Sequence, residues 1–132
     1  MTGETNLQLL LKNIQPLLNE GEYVFATVDD IALYDTGKMV SFFKEKEGYT
    51  IIVEKKMADE WKLKYNYVAA WITLNIHSSL EAVGLTAAFS KSFSDAGISC
   101  NVVAAFYHDN IFVDIKDAEE AMEVLQRLSI NQ

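Results

Sequence analysis

One succession of patterns, between Tyr67 and Leu128, constrains the fold more than any other feature of the chain. An apolar run, YVAAWITLNI, leads through His77-Ser78-Ser79 into LEAVGLTAAFSKSFSDAG. There Leu85, Ala88, Phe89, Ser92 and Phe93 recur at i, i+3, i+4, i+7 and i+8, the spacing of one helix face. The spacing predicts a helix over Gly84–Ala96, and Gly97 stands where a helix end calls for positive φ. Two short apolar runs follow, ISCNVVAAFY and IFVDI, parted by His108-Asp109-Asn110. Asp and Asn favour turns, so these runs read as a hairpin. Lys116–Leu128 then places Ala118, Ala121, Met122, Leu125 and Leu128 on one helix face, with Asp117 as N-cap and Glu119 and Glu120 in the first turn. Strand, helix, hairpin, helix is the order of an α+β sandwich of ferredoxin-like type.

The first half reads as a looser version of the same material. Leu7, Leu10, Leu11 and Ile14 share a helix face within residues 6–15, and Pro16 ends or bends that helix. Asn19-Glu20-Gly21 reads as a turn, and Tyr23–Val28 as a strand. Val40–Phe43 and Tyr49–Val53 form a hairpin around Gly48. Lys55–Leu63 suits a helix with Met57, Ala58 and Trp61 inward. Hairpin followed by helix therefore occurs twice, over 40–63 and 99–128. That suggests a degenerate structural duplication, with the strand Tyr67–Ile76 between the halves. The units are expected at 1–65 and 66–132, and with no low-complexity linker one continuous core is expected.

Composition removes several function classes. The 132 residues, half of them hydrophobic, suffice for a real core and argue against disorder. The net charge is −8. Residues 1–65 hold 8 basic and 11 acidic side chains and residues 66–132 hold 3 and 8, so neither half suits the phosphate backbone of a nucleic acid. The aromatic residues are numerous, and most are expected in the core. A single cysteine, Cys100, excludes an internal disulfide or a thiolate metal cluster and reads as a buried structural thiol. The start MTGETNLQ is polar and lacks Lys and Arg, so no signal peptide is expected. No apolar run reaches the ~20 residues of a membrane helix. A cytoplasmic protein without membrane contact is the expectation.

Few residues look chemical. The chain has two histidines, no third His or Cys falls at zinc-ligand spacing, and no G-x-S-x-G elbow is present, so neither catalytic nor metal residues are assigned and no cofactor is expected. Ser78 or Ser79 reads as a cap, with Glu81 as the capping-box partner of Ser78, and the alternative is that His77 reaches a ligand from the strand end. The more suggestive segment is Val83-Gly84-Leu85-Thr86. Glycine at a helix start lets a ligand approach the backbone, and the free N–H groups and helix dipole there favour a carboxylate. The competing reading is that Gly84 relieves helix–strand crowding. Glu45 and Glu47, one residue apart, point to the same side of a strand and suit an amino or guanidinium group, or else solvent and the neighbouring lysines.

HSSLEAVGLTAAFSKSFSDAGISCNVVAAFYHDNIFV resembles the bacterial tandem ACT-domain proteins of uncharacterised function, and EKEGYTIIV resembles the acidic hairpin of their first half. The pieces GLTAA, GIS-NVVA and YHD-IFV carry the likeness, which extends over nearly the whole chain. Asn110 departs from it, since a second histidine is expected after His108-Asp109. The resemblance implies two ferredoxin-like ACT-type units packed in tandem, binding small ligands, often amino acids, where units pair. Carried onto this chain, it selects Val83, Gly84, Leu85 and Thr86 at the helix start and Ile98, Ser99, Cys100 and Asn101 on the following strand. Glu45 and Glu47 are secondary candidates for a ligand's amino group. The expected function is non-catalytic: a regulatory module binding a small molecule such as an amino acid, as a homodimer. The alternative is a protein-interaction module that uses the same pairing without a ligand.

Overall fold

A computed structural model of the chain describes residues 7–75 and 84–130. It divides the chain into two compact units, residues 21–69 and residues 1–20 with 70–132.

The unit of residues 21–69 is built on β2 (Tyr23–Val28), β3 (Met39–Lys44) and β4 (Tyr49–Glu54), in the order β3-β4-β2. β4 pairs antiparallel with all six residues of β2, from Tyr23 opposite Glu54 to Val28 opposite Tyr49. Val68 and Ala69, which open β5 (Val68–Leu74), pair with Val24 and Tyr23 on the other side. Alternation along β2 turns Val24, Ala26 and Val28 to one face, where they meet Ile51, Val53 and Ala58. Ala58 belongs to α2 (Lys55–Glu60), which covers that face. Where a ferredoxin-like unit has its first helix, this one has two 3₁₀ turns, Ile31–Leu33 and Thr36–Lys38. The cause is local. The Asp30 and Asp35 carboxylates accept from the N–H groups of Ala32 and Gly37 at 3.0 and 2.9 Å, and such Asx turns compete with a longer helix.

The second unit joins the two ends of the chain. Residues 70–74 of β5 lie between β1 (Pro16–Leu18) and β7 (Asp109–Asp114), and β6 (Cys100–Ala104) lies outside β7. With α3 (Leu85–Asp95) and α4 (Ala118–Ile130) this is a ferredoxin-like unit whose fourth strand comes from near the N-terminus. β1 pairs antiparallel with β5, Pro16 opposite Leu74, and Pro16 is tolerated because it is the first residue of the strand. α1 (Leu7–Lys12) packs beside α3 and α4, burying Leu10 and Leu11, with Ile14 just beyond it. These join Ile72, Leu74, Phe89, Phe93, Ile111, Val113 and Leu125. Among the described residues each unit has its own buried cluster.

Four local readings change. Pro16 starts a strand and does not merely end a helix. The strand Tyr67–Ile76 is described as Val68–Leu74, and Ile76 lies outside the described residues. The second hairpin turns at residues 105–108, where the Ala105 N–H donates to the His108 carbonyl at 3.1 Å, so Asp109 and Asn110 are strand residues. The cap expected of Asp117 is made by Asp114, whose carboxylate accepts from the Lys116 N–H at 3.0 Å at the head of a 3₁₀ turn running into α4. The aromatic residues also divide: Phe89, Phe93 and Phe112 are core, but Phe42, Phe43, Phe106 and Tyr107 are exposed. Among the described residues no helix is long and apolar enough to cross a membrane.

Candidate functional site

Gly84 stands at the start of α3. Its φ is +89°, in the left-handed region, and it occupies the N-cap without a side-chain cap. The backbone there bonds as a helix should, Ala88 N–H donating to the Gly84 carbonyl at 2.9 Å. A helix leaves its first N–H groups without intrahelical acceptors, and here those include Leu85 and Thr86. Leu85 turns its side chain into the core at 3 % exposure, whereas Thr86 is exposed. A side chain at position 84 would be doubly resisted, by φ and by Leu7, whose Cδ2 lies 3.1 Å from where a Cβ would stand. Leu7 is a neighbour sequence reasoning missed. It arrives from the far end of the chain, and no local pattern signals the contact. Val83, His77, Ser78, Ser79 and Glu81 lie outside the described residues.

The second candidate segment follows α3. Gly97, at φ +74°, turns the chain, and the Ile98 N–H donates to the Phe93 carbonyl at 2.9 Å. Ile98 is buried at 4 % exposure and acts as core. Cys100 is half-buried, less deeply than expected from the sequence, and packs against the core. Burial pushes its thiol upward in pKa, opposed by a hydrogen bond with Ser90, so it is a poor thiolate at neutral pH. Ser99 and Asn101 are exposed and remain able to meet a ligand. Within the unit the two segments do not meet. Ile98 is held at the C-terminal end of α3 and Gly84 caps its start, and eleven residues of helix span about 16 Å.

Glu45 and Glu47 lie just past β3, both exposed. Glu45 N–H donates to the Gly48 carbonyl at 2.9 Å, and its carboxylate accepts from the Thr50 hydroxyl. At the other hairpin Asp109 is buried, at 8 % exposure. Burial raises its pKa, and neighbouring His108 opposes the rise. Among the described residues no group of three His, Cys, Asp or Glu is placed to hold a metal ion.

Two units, each an antiparallel sheet with α-helix packed on it, one of them with 3₁₀ turns in place of its first helix, define the class to which comparison then gives a name. The ACT-domain family matches twice in tandem, over residues 2–70 and 67–127, and the chain belongs to that family. It is similar to a protein of unknown function from Vibrio cholerae described as a possible transport protein, with 40% identity, a TM-score of 0.85, and 93% of this chain and 95% of that one covered. It is similar in fold to a protein from Agrobacterium tumefaciens, at 19% identity and TM-score 0.67 over 89% of this chain and 90% of that one. The regulatory subunit of aspartate kinase from Thermus thermophilus shares the fold at 9% identity and TM-score 0.58, over 88% and 98%. No protein of curated function matches the chain. ACT domains are typically ligand-binding regulatory modules.

Proposed function

We propose that this chain is a non-catalytic regulatory module that binds a small α-amino acid at the start of α3, at a site completed by a second copy. The observation that carries this is Gly84: a left-handed N-cap with no side-chain cap, ahead of an eleven-residue helix. The ligand carboxylate takes the N–H groups of Leu85 and Thr86, where the helix dipole favours negative charge. Carboxylates or strand carbonyls take the amino group.

The separation of Gly84 from Ser99 and Asn101 argues for the homodimer. β6 is the outer strand of its unit, and it returns along α3, so its Ala104 end lies toward the helix start. If two copies pair antiparallel along β6, the Ser99–Asn101 end of one comes beside the Gly84 end of the other. The two candidate segments then share one ligand across the pair.

The test is titration of the full chain and of Thr86→Glu with amino acids. Thr86 is exposed, and an acidic residue in the first turn is favourable to the helix, so the fold is expected to persist. The new carboxylate should repel the ligand's own and reduce affinity at least tenfold. Equal binding by both proteins would remove the helix start as the site.

A further inference from the structure

We draw no further inference here: the strongest candidate, the tip of the β6–β7 hairpin, where Phe106 and Tyr107 stand exposed with ring centroids 5.0 Å apart, is an apolar surface patch, and nothing in the structure shows what covers it.

Discussion

The indole N–H of Trp71 donates to the Asn110 side-chain oxygen at 2.9 Å, joining β5 to β7 on the sheet face away from the helices. The Thr73 hydroxyl donates to the same oxygen at 3.1 Å, and the Asn19 amide donates to the Thr73 hydroxyl at 2.9 Å. Trp71 also stacks on Phe112, with centroids 6.1 Å apart at 17°. Asn110 is the residue at which the chain departs from its resemblance, and its carbonyl oxygen here serves two donors. Asn110→Ala strands both. It should cost about 1–3 kcal/mol, read as a lower urea midpoint with an unchanged slope.

The N-terminal segment should be indispensable to the unit that ends the chain. Leu10 is 1 % exposed among α3 and α4, and β1 completes the sheet beside β5. Leu10→Ala should destabilise by about 2–5 kcal/mol in chemical denaturation. A fragment of residues 66–132 should lack the cooperative transition of the whole chain, although both the sequence and the family matches divide the chain near that point.

Asp109 should give the stability a distinctive pH dependence. Burial raises its folded-state pKa above the ordinary carboxylate value. Between the unfolded and folded pKa values the folded state then binds more protons, so this group's contribution is full below the unfolded pKa and is lost as pH rises through the folded one. Asp109→Asn should remove that slope. Measured by thermal unfolding, the variant should gain on the parent at neutral pH, and the gain should shrink as pH falls through the carboxylate range.

Asp59 should act in the opposite sense. The Tyr65 hydroxyl, and then Lys55, hold its carboxyl below the ordinary value. Its contribution is present above the unfolded pKa and lost as pH falls through the folded one. Tyr65→Phe should raise the Asp59 pKa in an NMR titration while leaving that of Asp109 where it was.

How far the sequence disclosed this structure depends on the length of each signal. Leu85, Phe89 and Phe93 repeat over three turns, and α3 lies where they put it. Tyr23–Val28 is rich in strand-forming residues and is a strand at those limits. Pro16–Leu18 is three residues long and begins with proline, so its strand character exists only through β5. The second hairpin turns earlier than local preference suggests: Asp109 and Asn110 are turn formers, yet Asn110 is held in the strand by Trp71 and Thr73. At the candidate site the glycine at the helix start is legible from its place ahead of the helical spacing. Leu7 is not, because its contact is tertiary.

A thermal unfolding screen of the full chain against the twenty amino acids tests the central claim most directly. A ligand that binds only the folded state at a hundred times its Kd adds about 2.7 kcal/mol, which for a chain of this size is a rise of roughly 10 °C in Tm. The account predicts such a rise for one amino acid or a small group of related ones, reduced in Thr86→Glu. A flat response to all twenty at millimolar concentration would contradict it and favour a module that pairs without a ligand.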